Sequence, residues 1–162
     1  MALSAYLTLS GTRHGPILGS VTQKGREGSI EVIAFFHEIV APRDPASGRP
    51  RGKRMHKPFA VTKPLDCASP LLHYVLTQNE NLTDVTLRMY RPNAAGVERH
   101  TFTVRLMNAT ISSIHLTMLN TCHPRHSKLP ELEEVSFAYQ RIEWTWTEGN
   151  ISADDDWEIA RV

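Results

Sequence analysis

The chain lacks three features that would assign a protein to a class at once: many cysteines, a long apolar run and a large net charge. Its 162 residues include two cysteines, Cys67 and Cys122, too few for a disulfide framework or a four-cysteine zinc site, although one bridge between them stays possible. No segment approaches the roughly 18 apolar residues of a membrane-spanning helix. The first ten residues have no basic segment and no unbroken apolar stretch, so we expect no signal peptide and synthesis in the cytoplasm.

The net charge of +1 conceals a separation of charges along the chain. It is the difference between 18 Lys and Arg and 17 Asp and Glu residues. Residues 41–57, hereafter the arm, contain three prolines, two glycines and six cations against a single acid, Asp44. Residues 143–158, the acidic stretch, contain six acids and no Lys or Arg. A loop as long as the arm is usually functional or disordered, and a solvated loop is the simplest interpretation of its charge.

Alternation of apolar and polar residues predicts a mainly β fold. Residues 3–10, 85–90 and 102–106 alternate strictly, which is typical of strands with one buried face. Residues 30–37 are apolar at both odd and even positions, a pattern that favours a more buried strand and that a short helix would also give. We therefore predict a β-barrel or sandwich of two sheets.

The longest predicted strand, over residues 133–147, changes phase midway. Its apolar side chains lie at odd positions up to Tyr139 and at even positions from Ile142 onward. One extra residue would produce this change, which predicts a β-bulge near Gln140 and Arg141. The alternative is a strand whose two halves bury opposite faces, as where a sheet passes from one layer to another.

Only one segment has a helical pattern. Ser69 is suited to cap a helix and Pro70 to open it, and apolar residues at helical spacing follow from Leu72 to Leu76. The pattern predicts one short helix over about residues 70–79, on the flank of the β-structure.

Several motifs resemble catalytic or metal sites without completing them. Residues 48–53 are similar to a phosphate-binding loop, but three residues instead of four separate the glycines. The thiol and two imidazoles of residues 122–126 supply only part of a zinc site, and residues 154–156 lack the glycine and alternating oxygens of a calcium loop. An enzyme would need Cys67 or Cys122 paired with a histidine, and no motif marks such a pair. We predict no enzyme activity, no cofactor and no metal.

Five short motifs together resemble the haemolysin-coregulated protein (Hcp) family. They are GREGSIEVI at residues 25–33, RMHKPF at 54–59, SPLL at 69–72, VSFAYQRIEW at 135–144 and DDW at 155–157. Each motif is weak alone, but their order over nearly the whole chain is specific. The resemblance implies a compact two-sheet β-barrel with one flanking helix and the arm as an extended loop, formed by residues 1–162 as a single domain.

The resemblance also implies a function. Members of the family form hexameric rings that stack into the inner tube of the bacterial type VI secretion system, inside a contractile sheath and beneath a VgrG spike. Contraction expels the tube, and some members carry small effector proteins in its channel. We therefore expect a structural subunit that associates with itself, the spike, the sheath and effectors, and that is secreted without a signal peptide. We expect no binding of nucleic acid and no insertion into membranes.

The charge separation leads to a hypothesis for the contact between rings. In the family the loop that corresponds to the arm projects toward the next ring, and a basic arm facing an acidic stretch suits a head-to-tail contact. The predicted contact residues are Arg43, Arg49, Arg51, Lys53, Arg54, His56, Lys57, Asp154, Asp155 and Asp156. The alternative is a nucleic-acid-binding β-module that uses the cations of residues 43–57, whose phosphate contacts would depend strongly on salt.

Overall fold

The computed structural model describes residues 3–159, which form eleven strands and one helix. In chain order these are β1 (Ser4–Gly11), β2 (Gly15–Ile17), β3 (Ile30–Val32), β4 (Ala34–Phe36), β5 (Ile39–Val40), β6 (Met55–His56), β7 (Phe59–Pro64), α1 (Ser69–Thr77), β8 (Leu82–Pro92), β9 (Glu98–Thr117), β10 (Leu132–Trp146) and β11 (Ile151–Asp156). No helix within residues 3–159 is long and apolar enough to cross a lipid bilayer.

Nine of the strands form one antiparallel sheet that closes on itself. The strand order is β2-β1-β8-β9-β10-β7-β4, with β3 beside β1 and β11 beside β10. Thus β3 extends one edge of the sheet and β4 extends the other. Only Ile33 separates these two strands, and its N–H donates to the Thr62 carbonyl at 2.9 Å. Residues 30–36 therefore join both edges of the sheet and make it a barrel.

The two remaining strands, β5 and β6, form a separate ribbon at the base of the arm. The predicted fold class is confirmed: the chain is mainly β, with two sheets, one short helix and an extended arm.

The barrel is filled by the apolar residues that alternate along its strands. The buried set includes Leu7, Leu9, Phe59, Val61, Leu87, Leu106, Val135, Phe137 and Ile142. α1 packs against β9 and buries Leu72 and Val75. Burial of one such side chain contributes about 1.5–3 kcal/mol, so the alternation decides which face of each strand lies inside.

α1 begins one residue earlier than predicted, and the prediction that Ser69 caps it is wrong. The helix spans Ser69–Thr77 and its N-cap residue is Ala68, which makes no side-chain capping bond. The Ser69 hydroxyl donates instead to the carboxylate of Glu133 at 2.6 Å. The Ser69 oxygen accepts the Lys63 ammonium at 3.0 Å and the Asp66 N–H at 3.1 Å, so the lone pairs that could cap the helix are already used.

The phase change in β10 is confirmed, but the bulge predicted at Gln140 and Arg141 is wrong. Buried positions change from odd to even between Tyr139 and Ile142, whereas the register between β10 and β9 shifts near Ser136. β10 pairs with β7 before the phase change and with β11 after it. The two halves of the strand therefore bury opposite faces beside different neighbours, as the alternative interpretation predicts.

The prediction of a buried strand over residues 30–37 is correct for its first half only. Ile30 and Val32 are buried, whereas Phe35 is half-exposed and Phe36 is 64% exposed. Among the described strands β4 pairs with β7 alone, so this half lies at an edge where the subunit does not cover its apolar side chains.

Candidate functional site

The arm is an ordered hairpin. Its base is the β5–β6 ribbon, and pairing continues beyond it. The Arg51 N–H donates to the Pro42 carbonyl at 2.8 Å, and Arg43 forms a β-bridge with Pro50. The arm therefore has a defined direction and a defined tip.

A tight turn closes the tip. One carboxylate oxygen of Asp44 accepts the N–H groups of Ala46 and Ser47 at 3.0 and 2.7 Å, and the bonds from Ser47 lower the pKa of Asp44. Gly48 completes the turn with a φ of +67°, which costs other residues about 1–2 kcal/mol. The single acid of the arm thus folds the tip, and within residues 3–159 it forms no ion pair with the arm's cations.

Ionic hydrogen bonds hold the base of the arm to β11. The guanidinium of Arg54 donates to both carboxylate oxygens of Asp155, one from Nε and one from Nη2 at 2.7 Å. Nη2 also donates to the Asp156 carbonyl at 2.8 Å. His56 Nε2 lies 2.7 Å from the same Asp155 carboxylate. The bond from Arg54, followed by that from His56, lowers the pKa of Asp155. This contact between the arm and the acidic stretch lies within one subunit.

A buried phenol links two histidines beside this ion pair. Tyr139 Oη lies 2.6 Å from His37 Nε2 and 2.9 Å from His56 Nδ1. Burial, followed by the nearby Asp155, raises the pKa of Tyr139. Burial, followed by the neighbouring His56, lowers the pKa of His37. At neutral pH the phenol is therefore protonated and His37 is neutral.

The turn after β11 completes the attachment. The Trp157 N–H donates to the Gln140 carbonyl at 3.2 Å, and the indole N–H donates to the Tyr139 carbonyl. The Lys53 ammonium lies 5.5 Å from the centre of the indole ring, within range of a cation–π contact. We refer to the following residues as the arm anchor: His37, Arg54, His56, Tyr139, Asp155 and Trp157.

Some of the residues predicted for self-association are engaged within the subunit. Besides the pairs of the arm anchor, Lys57 lies 2.7 Å from Glu38 and Arg141 lies 3.1 Å from Asp154. The engaged residues are Arg54, His56, Lys57, Asp154, Asp155 and Asp156. A contact with another copy would have to share them.

The other predicted residues lie toward the tip of the arm. They are Arg43, Arg49 and Arg51, with Lys53 closer to the base, where it contacts Trp157. All are exposed, and none forms an ion pair with another residue of the described chain. The tip therefore presents net positive charge to its surroundings.

Sequence reasoning missed His37 and Tyr139. The pattern treats Tyr139 as one more apolar residue of β10 and His37 as the end of a strand. A buried tyrosine hydroxyl usually requires a hydrogen-bond partner. The available signal was therefore a tyrosine in phase with a buried face, together with histidines at both ends of the arm.

A second charged cluster lies inside the barrel beside α1. Lys63 on β7 and Glu133 on β10 are fully buried opposite each other, with 2.8 Å between Nζ and Oε2. The Ser69 hydroxyl lies 3.0 Å from Lys63, and Asp66 lies 2.8 Å from it. Buried charges are stable only when they are paired and hydrogen-bonded. We call these four residues the core ion cluster.

Residues 25–33 attach a third segment to the barrel. The Arg26 guanidinium lies 4.7 Å from the ring centre of Tyr6 and 3.6 Å from that of Tyr90. It also pairs with Glu98 at 2.7 Å. The segment between β2 and β3 is thereby fixed to β1, β8 and β9.

The motifs that suggested catalytic or metal sites lie in separate segments of the fold, and the imidazole rings of His123 and His126 lie 5.3 Å apart in the loop after β9. Cys67 and Cys122 are exposed free thiols. Residues 48–53 lie at the tip of the arm and lead into β6, and residues 154–156 belong to β11. The part of the chain that the structure describes contains no group of three or more His, Cys, Asp or Glu residues that could hold a metal ion.

Comparison with known proteins relates this architecture to one family. The family described as "Type VI secretion system effector, Hcp" matches residues 6–146. This chain belongs to the Hcp family. Hcp proteins are structural tube proteins of the type VI secretion system.

Individual Hcp relatives cover almost the whole chain. The major exported protein of Pseudomonas aeruginosa is 41% identical over 166 residues, which span 97% of this chain and 96% of that protein. A crystal structure of an Hcp protein superimposes with a TM-score of 0.92 at 33% identity, covering 98% of this chain and 100% of the other. A variant of Hcp1 from E. coli gives a TM-score of 0.84 at 35% identity, covering 96% and 99%.

The motifs that resemble the Hcp family are the places where connecting segments attach to the barrel. Residues 54–59, 135–144 and 155–157 meet in the arm anchor. Residues 69–72 contribute to the core ion cluster, and residues 25–33 fix the segment before β3. The motifs thus correspond to attachment points of the Hcp fold.

Proposed function

We propose that this Hcp protein is the repeating subunit of the inner tube of a type VI secretion system. Six copies form a ring, and rings stack inside a contractile sheath and beneath a VgrG spike. Contraction expels the tube, which carries small effector proteins in its channel. The whole chain, residues 1–162, acts as one domain that is made in the cytoplasm and exported without a signal peptide. The observation that carries the proposal is the match to Hcp proteins over nearly the entire chain, one of which is named for its export.

Exposed apolar residues support association between copies. Leu3, Ile33 and Phe35 line one cavity at the edge of the barrel and are 69%, 52% and 45% exposed. Contiguous apolar patches on soluble proteins commonly mark interfaces, and a ring subunit needs such surfaces toward its neighbours.

The tip of the arm suits the contact between rings. Arg43, Arg49 and Arg51 form no ion pair within residues 3–159, and neither does the exposed Glu148 of the acidic stretch. A contact between the tip and the acidic stretch of the next ring joins two different surfaces, so it repeats without closing. One exposed pair contributes about 0–1 kcal/mol, so the six copies of a ring have to act together.

The mass of the protein in solution tests the ring. Size-exclusion chromatography with light scattering should give about six times the chain mass of 18.3 kDa, and negative-stain images should show a central channel. A monomer or dimer at all concentrations would contradict the proposal.

Charge reversal at the tip tests the stacking. The variant Arg43→Glu, Arg49→Glu, Arg51→Glu should form rings but fail to stack and to be secreted. The matched control reverses three other exposed arginines, Arg13, Arg99 and Arg125. Arg54 is left unchanged because its reversal would break the arm anchor. Equal stacking and secretion in both variants would contradict a role for the tip.

Binding of nucleic acid is the alternative use of the tip arginines. It predicts that the protein retains labelled single-stranded DNA and that retention decreases as the salt concentration rises. The tip variant should then retain none. We expect no retention, because the arm contains no Phe, Tyr or Trp on which a base could stack.

A further inference from the structure

A single phenol oxygen holds the chain on both sides of the arm. His37 lies just before β5, where the chain leaves the barrel, and His56 lies in β6, where the chain returns. A ring nitrogen of each contacts the Tyr139 oxygen, at 2.6 and 2.9 Å, and Tyr139 is buried in β10. Both ends of the arm therefore meet at one atom that carries one proton.

With both histidines neutral, each group donates a hydrogen bond to the next, from His37 through Tyr139 and His56 to Asp155. His56 donates from Nε2 to Asp155, which leaves its Nδ1 to accept the Tyr139 hydroxyl. The phenol oxygen then accepts the N–H of His37 Nε2. Every donor in the chain of bonds has an acceptor.

One added proton reverses this direction without breaking a bond. When His56 is cationic, both of its nitrogens donate, one to Asp155 and one to the phenol oxygen. The phenol proton then turns to His37 Nε2, which accepts it in the other neutral tautomer. The new charge faces the Asp155 carboxylate, which Arg54 also contacts.

A second proton leaves the chain of bonds with one acceptor too few. With His37 also cationic, the N–H groups of both histidines point at the Tyr139 oxygen, and the phenol proton loses its acceptor. Two cations then flank one uncharged oxygen. A buried polar group without a partner costs about 1–3 kcal/mol, and more when it is charged.

No carboxylate of the described chain forms an ion pair with His37. The cavity of about 370 Å³ beside its ring has Arg91 as its other ionisable neighbour, and the remaining lining residues are uncharged. Glu38, next in the chain, is already paired with Lys57 at 2.7 Å. Burial, followed by the neighbouring His56, holds the pKa of His37 below its ordinary value of 6.5.

We propose that His37, Tyr139 and His56 form a pH-sensitive latch, closed while at most one of the two histidines is protonated and opened by the second proton. Opening detaches both strands of the ribbon from β10, and a two-stranded ribbon alone is only marginally stable. The arm is therefore rigid at neutral pH and mobile in mild acid. Any effect of the latch on ring stacking rests on the proposed function, whereas the latch itself does not.

The pH dependence has a definite sign. The closed latch binds fewer protons than the open one, so closure becomes more favourable as pH rises. Its stabilising effect is complete above pH 6.5, the ordinary pKa of histidine, and declines as pH falls from there to the lower pKa of His37. Each unit by which that pKa is lowered changes the ratio of closed to open arms about tenfold.

Hydrogen exchange of the arm tests the latch in the assembled protein. Exchange of residues 38–57, corrected for the intrinsic effect of pH, is compared at about pH 7.5 and about pH 5, with β9 as the internal reference. The informative amides are those of Arg51 and Lys57, which bond across the ribbon to Pro42 and Glu38. We expect arm protection to fall about tenfold or more while β9 is unchanged. Equal arm protection at both pH values would overturn the proposal.

A variant that cannot titrate separates the latch from general acid effects. His37→Gln keeps a donor and an acceptor near Tyr139 without a titratable group, so its arm should stay protected at both pH values. His115→Gln changes an exposed histidine of β9 and should respond as the native protein does. An undiminished acid response in His37→Gln would overturn the latch.

Light scattering on the same samples separates the latch from the proposed function. An arm that loosens in acid while stacking is unchanged supports the latch and contradicts stacking through the arm. Stacking that is lost in acid while arm protection stays constant overturns the latch and leaves the tube function intact.

Discussion

The core ion cluster and the arm anchor both attach a connecting segment to the barrel through charged hydrogen bonds, to Glu133 of β10 in the first and to Asp155 of β11 in the second, yet they differ in their access to water. Lys63 and Glu133 have fully buried side chains, whereas those of Arg54 and Asp155 are 19% and 14% exposed. The first cluster joins α1 to the barrel, and the second joins the arm to it.

The core ion cluster and the arm anchor also differ in the number and the position of their histidines. The core ion cluster has one histidine at its edge, His73, whose Nδ1 lies 2.8 Å from the Ser69 carbonyl and 3.6 Å from Glu133. The arm anchor has two histidines inside its chain of hydrogen bonds. The comparison suggests that α1 is attached for as long as the barrel is folded, while the attachment of the arm depends on conditions.

Removal of a buried charge should have the largest effect. Glu133→Ala takes the fully buried carboxylate from the Lys63 ammonium and leaves Asp66 as its carboxylate partner, so we expect a loss of about 3–5 kcal/mol in the free energy of unfolding. Denaturant unfolding at a fixed protein concentration measures it. The double variant Lys63→Met, Glu133→Leu removes both charges and should recover most of the loss. A loss below about 1 kcal/mol for Glu133→Ala, as for an exposed pair, would remove the distinction between the clusters.

Removal of the shared hydroxyl should have the next largest effect. Tyr139→Phe keeps the buried ring but leaves His37 and His56 without their common partner, at a cost of about 1–3 kcal/mol. Exchange of the arm should become fast at neutral pH as well as in acid. Tyr74→Phe is the matched control, because Tyr74 is half-exposed and its hydroxyl makes no hydrogen bond within residues 3–159. Slow arm exchange in Tyr139→Phe would show that the arm is held by Arg54 and Asp155 alone.

Loss of the Asp155 charge should have a smaller effect that depends on pH. Asp155→Asn keeps an oxygen for Arg54, so we expect a loss of about 1 kcal/mol at neutral pH. Arg54, more than any other group, lowers the pKa of Asp155 from its ordinary value of 3.8. The extra stability of the native protein over Asp155→Asn is therefore complete above pH 3.8, and it disappears as the pH falls through the lowered pKa of Asp155.

Urea unfolding across a pH series measures this difference. Asp154→Asn is the control, because Asp154 pairs with Arg141 at the surface. It should lose about 0–1 kcal/mol in the free energy of unfolding. A constant difference between Asp155→Asn and the native protein at every pH would contradict the argument.

Much of the fold can be predicted from the sequence, because strand alternation reports burial residue by residue. Strand alternation also contains evidence for the core ion cluster, which the sequence prediction did not use. Lys63 is in phase with the buried Phe59 and Val61, and Glu133 is in phase with the buried Val135. Opposite charges in phase with two buried faces predict a buried pair. Closure of the barrel by residues 30–36 was not predictable, since local periodicity does not name the partners of a strand.

The arm shows where sequence reasoning stops at the candidate site. Charge separation indicates contacts between the basic arm and acids such as Asp155, but one sequence cannot distinguish a contact within a subunit from one between subunits. The structure places this contact within one subunit. The tip arginines retain the predicted role as a proposal, because no acid of the described chain pairs with them.

A substitution at the tip of the arm should have the smallest effect on stability, and it can be compared with the same substitution at the base of the arm. Arg49→Lys changes an exposed side chain with no ion pair in the described chain, so the free energy of unfolding should stay within about 0.5 kcal/mol of the native value. Arg54→Lys is the same substitution at the base. A lysine cannot reproduce the bonds of Arg54 to both Asp155 oxygens and to the Asp156 carbonyl, so arm exchange should rise in that variant alone. Equal exchange in the two variants would mean that charge, and not the forked geometry of the guanidinium, holds the arm.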